Sequence, residues 1–244
     1  MALATIEDAA SLTVAFRGAE GVFVLVPSNF DPEPGFPEAR AIGAALRSAL
    51  DATRPARVVY LSTIGAQARK PNLLTQHTII EQTLSNLPVA ITFLRPAWFM
   101  ENCRWDVPPA REHGVIPSFL QPLDKPVPMV ATADIAKRAA DLLQERSNGH
   151  RLVELEGPHR VTPNEIAAAF AKILGRPVQM QSLPRNSWEE LFRSQGMKNP
   201  LPRIQMLDGF NEGWIEFESG EVGPQKGSTN LEAVVKFLIQ TSSE

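Results

Sequence analysis

His77 and Glu81 stand four residues apart, a spacing that places both on one face of a helix. A histidine titrates near neutrality and can donate or accept a hydrogen bond, which makes His77 the strongest polar candidate for ligand contact. The plainer alternative is a histidine that ends its helix against solvent, and Glu81 could equally be a solvated helix residue. Tyr60 is the one tyrosine, and the residue four later is Ile64. The Tyr-x-x-x-Lys pair, in which a lysine lowers the phenol pKa for proton exchange with a carbonyl, is therefore missing. Tyr60 lies within an apolar run and reads as a core residue. Ser62 is not part of G-x-S-x-G, so serine hydrolase chemistry lacks support. Arg95, just before Pro96, reads as a salt bridge or carbonyl clamp that fixes a bend. Trp98, Phe99 and Met100 could floor a planar ligand or fill an interlobe core. Glu101 and Asn102 add polar groups at the same mouth. His113, His150 and His159 have no ligand spacing, so no metal site is expected. Cys103 has no cation pattern beyond Arg104 and reads as an inert buried thiol. No catalytic residue is assigned on these grounds.

The elements that would position these groups are legible. VVYLS and AITFLRP are short apolar runs, and Ile79, Ile80 and Leu84 between them share a helix face. Two such strands joined by one helix form a right-handed crossover, so the sheet is parallel. Ligands of such sheets bind beyond the carboxyl ends of the strands. The spacing predicts strands near Val22–Val26, Val58–Leu61 and Ile91–Leu94. One cleft should then be lined by Val26, Pro27, Ser28, Ser62, Thr63, Ile64, His77, Pro96, Ala97, Trp98 and Phe99, with Gly65, Met100 and Asn102 set towards a substrate. Ala2–Thr5 reads as a short strand remnant. Helices are expected at Ala9–Phe16 and Pro37–Ala52, and from Phe99 until a break at Pro108-Pro109. Thr132 should cap a helix to Gln144, with Asp134 in its first turn. A strand at Leu152–Leu155 is placed where it could return to the sheet. Thr162–Glu165 and Thr229–Glu232 are capping boxes, and the first opens a helix ending at Gly175. Val178–Gln181 should be extended, and Asn186–Ser194 and Pro202–Phe210 helical.

Composition narrows the class. The 244 residues are 43% apolar, enough for a substantial core, and carry a net charge of −3. The 24 basic residues are scattered, which argues against a nucleic-acid surface. No stretch reaches the eighteen or so apolar residues of a membrane span, and no secretion signal opens the chain. A single cysteine fits a reducing compartment, and a cytoplasmic location is expected.

The fragments LSTIGAQ, QHTIIEQTL, FLRPAWFMEN and VATADIAKRAADLL, with ELEGPHRVTPNEIAAAF and DGFNEGWIEF, closely resemble the NmrA-like branch of the atypical short-chain dehydrogenases. The most specific piece is FLRPAWFMEN. The resemblance implies a Rossmann-like, doubly wound α/β fold with a smaller, mainly helical C-terminal lobe. It assigns residues 1–112 and 129–156 to the dinucleotide domain, and 113–128 and 157–244 to a substrate or partner lobe. It implies NADP(H) or NAD(H) as cofactor, with a residue at the position of His77 facing the nicotinamide ribose. Members are reductases of quinone-like acceptors or non-catalytic redox sensors that act through protein partners. The expected function is an NADPH-dependent oxidoreductase of quinone-like or small carbonyl acceptors, with the redox sensor as alternative.

The family's opening strand, Gly-rich turn and helix have no counterpart: the sequence holds no G-x-G-x-x-G, and Gly18-Ala19-Glu20-Gly21 precedes a strand instead of following one. The chain thus reads as starting inside the fold, with at least one βαβ unit, about 30 residues, missing. Three consequences are expected: an unpaired apolar edge prone to self-association, weakened dinucleotide binding, and, as a second alternative function, a form that binds no nucleotide.

Overall fold

The chain is described by a computed structural model over residues 2–219 and 223–242. In chain order its first elements are α1 (Ala9–Phe16), β1 (Gly21–Leu25), α2 (Pro37–Thr53), β2 (Arg57–Leu61), α3 (Thr75–Leu84) and β3 (Ile91–Pro96). There follow β4 (Trp98–Phe99), a 3-10 helix (Met100–Asp106), α4 (Val107–Glu112), β5 (Val115–Ser118), β6 (Met129–Val130), α5 (Thr132–Gln144) and β7 (His150–Glu156). The remainder comprises α6 (Pro163–Leu174), β8 (Gln179–Ser182), α7 (Trp188–Ser194), α8 (Leu201–Glu212), β9 (Gln225–Lys226) and α9 (Leu231–Thr241).

The main sheet runs β1-β2-β3-β7-β9 and is parallel throughout. Alternation along the strands separates two cores. Val22, Val24, Val58, Tyr60, Ile91 and Phe93 face α2 and α3, where Ile42, Leu46, Leu50, Ile80 and Leu84 meet them. Val59, Leu61, Leu94, Val153 and Leu155 face α5, meeting Ile135, Ala139 and Leu142. Helices on both faces of a parallel sheet make this a Rossmann-like α/β fold. A third core joins the 3-10 helix, α6, α8 and α9 around Met100, Phe170, Trp188 and Phe210, and it reaches Ile64 and Leu73 beside the strand ends. The strand expected at Leu152–Leu155 does return to the sheet, beside β3. Among the described residues β1 has β2 as its only strand neighbour, and Phe23 and Leu25 are 40% and 53% exposed on the α5 side. No helix of the described residues is long and apolar enough to cross a membrane.

Several local expectations are corrected. Ala2–Thr5 is not a strand: the Thr5 N–H donates to Ser11 Oγ and its carbonyl accepts from Asp8 N–H, which commits it to the cap of α1. Pro108-Pro109 does not break a helix but lies in the first turn of α4, where N–H groups have no intrahelical partner to lose. The change of helix type comes earlier, at Asp106-Val107. Thr132 is already helical, and its N–H and hydroxyl donate to Glu101. At the start of α9 the cap is Asn230, whose side chain accepts from Ala233 N–H, so Thr229–Glu232 forms no capping box. Thr229 and Ser228 bond instead to Asp134, tying α9 to the first turn of α5. The box at Thr162–Glu165 is present, and Gly175 ends α6 in the left-handed conformation.

Candidate functional site

Ser62 follows Tyr60 by two residues and Arg95 follows Phe93 by two, so all four side chains project from the α3 face of the sheet. Glu81 comes down from α3 to meet them. Ser62 Oγ donates to Glu81 Oε1 at 2.5 Å, and Arg95 donates to both Glu81 oxygens, Nε at 2.9 Å and Nη2 at 2.6 Å. Arg95 Nη1 reaches Glu218 Oε2 at 2.8 Å and Gln67 Oε1 at 3.1 Å. Ser62, Glu81 and Arg95 are all buried. Such a pair persists in the interior because both carboxylate oxygens accept hydrogen bonds from the guanidinium facing them. Glu154, beside Arg95 on β7, accepts the N–H groups of Glu218 and Ser219 at 2.8 and 2.9 Å. Arg160 clamps Glu216 with two bonds of 2.7 and 2.8 Å. Residues Glu216–Ser219 are thereby strapped over the carboxyl ends of β3 and β7.

His77 lies one helical turn before Glu81 but does not pair with it. Its Nδ1 meets the Tyr60 hydroxyl at 2.8 Å, and both residues are buried. Burial holds His77 down at about 4 and pushes the Tyr60 phenol well up, with Glu81 adding to the latter. At neutral pH the ring is uncharged and the phenol protonated. The buried phenol has no other acceptor among the described residues; with the phenol taken as donor to Nδ1, the imidazole proton is assigned to Nε2, which makes no hydrogen bond among the described residues. Ser62 and His77 therefore lie on the same side of the sheet, as a shared cleft requires.

The strand-end residues divide by exposure. Pro27, Ser28 and Asn102 are exposed, and Val26, Thr63, Trp98 and Phe99 are half-buried. Ser62, Ile64, Gly65, Pro96, Ala97 and Met100 are buried. Met100 belongs to the third core, with its Cε close against Gly157, so it is not a substrate contact. Gly65 has φ +74° and packs on Ile215, whose Cγ2 would lie 2.8 Å from an added Cβ; it turns a loop and does not meet a substrate. Trp98 stacks edge-to-face on Phe210 with ring centroids 5.1 Å apart, which favours the interlobe-core reading over a ligand floor. Sequence reasoning missed Gln67, Glu154 and Glu218. Glu154 left a signal: a carboxylate inside the apolar strand run LVELE demands a partner. It also missed Asp106, pushed up to about 7 by burial.

For a dinucleotide the fit is partial. The open strand ends at Pro27, Ser28 and Thr63 offer polar and apolar surface for a ring and sugar. Among the described residues no strand-to-helix turn supplies the clustered glycines and free N–H groups that a diphosphate needs. The helix after β1 starts at Pro37, which has no N–H, and Phe36 provides no side-chain cap.

Two cavities open at this same edge. One, of about 390 Å³, is lined by Asn29, Asp31, Glu38, Gln76, Lys198 and Asn199 among others. The second, of about 370 Å³, is lined by Phe30, Asp31, Trp105, Met197 and Arg203, with Gln195 and Gly196.

A family model described as the NmrA-like family matches residues 2–220. The chain belongs to that family. This NmrA-like chain is 27% identical over 194 residues to quinone oxidoreductase 2 of Escherichia coli K12, covering 80% of the chain and 65% of that relative. It is 26% identical over 204 residues to the NAD(P)H azoreductase of Xenophilus azovorans, covering 83% of the chain and 66% of that relative. The chain thus spans about two thirds of the length of these relatives. Among solved structures, the Escherichia coli NADPH-dependent quinone oxidoreductase complexed with NADPH superposes with a TM-score of 0.75 at 26% identity, covering 96% of this chain and 82% of that one.

Proposed function

We propose that this NmrA-like chain is an NAD(P)H-dependent reductase, with NADPH the favoured donor and a quinone-like or small carbonyl acceptor. The observation that carries the reading is the Tyr60–His77 pair. It holds a neutral imidazole at the carboxyl edge of the sheet, and with the phenol as donor the ring proton lies on the nitrogen left for a ligand. His77 Nε2 is the group we assign to the nicotinamide ribose, with Ser28 and Thr63 at the ends of β1 and β2 as further contacts. NADPH held there would supply the hydride for a two-electron reduction of the acceptor, with the accompanying proton drawn from solvent. In the Ser62–Glu81–Arg95 network both carboxylate oxygens are occupied by Arg95 and one also by Ser62, so its task is to hold α3 and thus His77 in place. The reading is supported by the two reductase relatives and by the NADPH-bound structure that the fold matches.

The test is loss of NADPH absorbance on adding 1,4-naphthoquinone to the purified protein. Quinone-dependent oxidation above the protein-free rate is expected. Saturable NADPH binding with no turnover of any quinone or carbonyl acceptor would make the chain a sensor instead.

A further inference from the structure

We propose that the cavity between Phe30, Trp105 and Arg203 receives the acceptor, and that this acceptor is a planar aromatic molecule bearing an anionic group. The inference rests on the reductase reading for its chemistry, but on the cavity alone for its ligand. Phe30 lies five residues beyond the end of β1, and Trp105 lies in the 3-10 helix that follows β4. Met197 and Arg203 come from the connection between α7 and α8 and from the first turn of α8. The cavity therefore bridges the carboxyl edge of the sheet and the C-terminal helices, where an acceptor must lie to meet a nicotinamide.

Arg203 specifies the charge. Its guanidinium sits 4.4 Å from the ring centroid of Phe192 and 5.8 Å from that of Phe30. Its single hydrogen bond among the described residues runs from Nη1 to Met197 Sδ at 4.0 Å, a weak acceptor. Arg95, Arg138, Arg151, Arg160, Arg185 and Arg193 each have a carboxylate partner; Arg203 has none among the described residues. Burial lowers its pKa with no anion to offset the cost. It also stands in the first turn of a helix, where the dipole disfavours a cation, so both would welcome an incoming anion. The one acid on the wall, Asp31, turns its oxygens to the N–H groups of Lys198 and Asn199 at 2.9 and 2.6 Å, so it forms no ion pair with Arg203, although its charge stays on the wall. Phe30 and Trp105, 56% and 83% exposed, add aromatic surface to the same wall, which a flat ring can pack against. A neutral quinone would use the aromatic walls and leave the guanidinium unanswered.

The experiment compares 1,4-naphthoquinone-2-sulfonate with 1,4-naphthoquinone as NADPH-dependent acceptors, in the parent protein, Arg203→Gln and Arg203→Lys. The ratio of kcat/KM for the sulfonate to that for the neutral quinone should fall about tenfold or more in Arg203→Gln, mainly through KM, the scale of one lost charge-assisted pair. In Arg203→Lys, which keeps the charge but not the fork, it should fall about threefold, and this variant serves if the glutamine protein does not fold. An unchanged ratio overturns the proposal. A second arm needs no turnover: the sulfonate is titrated without NADPH while Trp fluorescence is followed, with Trp105→Phe assigning the signal. Binding weakened at least tenfold in Arg203→Gln upholds the cavity even if NADPH is never oxidised, in which case only the reductase reading falls. Equal binding in both proteins overturns the cavity assignment and leaves the reductase reading standing.

Discussion

At the scale of single residues, burial decides what the titratable groups do. His77 is held at about 4 by desolvation, below the 6.5 of an exposed histidine. The folded state therefore binds fewer protons than the unfolded chain between these values, so stability is whole above pH 6.5 and is lost as the pH falls towards 4. The shift corresponds to about 3 kcal/mol. Urea unfolding at pH 7 and pH 4.5 should show the parent losing about 2–3 kcal/mol more than Tyr60→Phe/His77→Leu, which removes the titrating ring and its partner together. Equal losses would refute the buried, neutral histidine. Asp106 acts in the opposite sense, its folded pKa being raised to about 7, and contributes alike to both proteins. The spacing puts His77 and Glu81 on one helix face, but the two do not pair with each other. Their true partners, Tyr60 and Arg95, lie 17 and 14 residues away across the crossover. Local spacing carries no record of such contacts; only the strand alternation of Tyr60, Ser62, Phe93 and Arg95 hints at them.

At the scale of elements, the Arg95–Glu81 pair fastens β3 to α3, and Glu218 adds the strap across their ends. Arg95→Met should cost about 3–5 kcal/mol in urea unfolding, because Glu81 would be left charged and buried. Arg95→Met/Glu81→Leu should recover most of that loss. A double variant as damaged as the single one would show that shape, not charge pairing, holds the helix. Elements with their own signals were readable: α1, α6 with its capping box, and the three central strands. The short pairs β4–β6 and β5–β8, and β9, were not. Two to four residues carry too little pattern, and such segments become strands only because a partner strand lies alongside. The prolines of α4 misled for a related reason. Their effect depends on their position in a helix, which the residues alone do not give.

At the scale of the whole molecule, a parallel sheet, a helical layer on each face and a shared third core place β1, β2, β3, α3 and the strap around one carboxyl edge. That edge was predictable from apolar runs and crossover handedness. The cavity under Arg203 was not, because it is assembled from Phe30, Trp105 and a helix connection more than ninety residues further on. The central claim is that this edge holds a nicotinamide dinucleotide through His77. Calorimetric titration of the parent protein and His77→Ala with NADPH tests it most directly. The account predicts saturable one-to-one binding by the parent, weakened by about 1–2 kcal/mol in His77→Ala, the loss expected for one hydrogen bond to a buried donor. No saturable binding by the parent, or equal affinity in the two proteins, would contradict it.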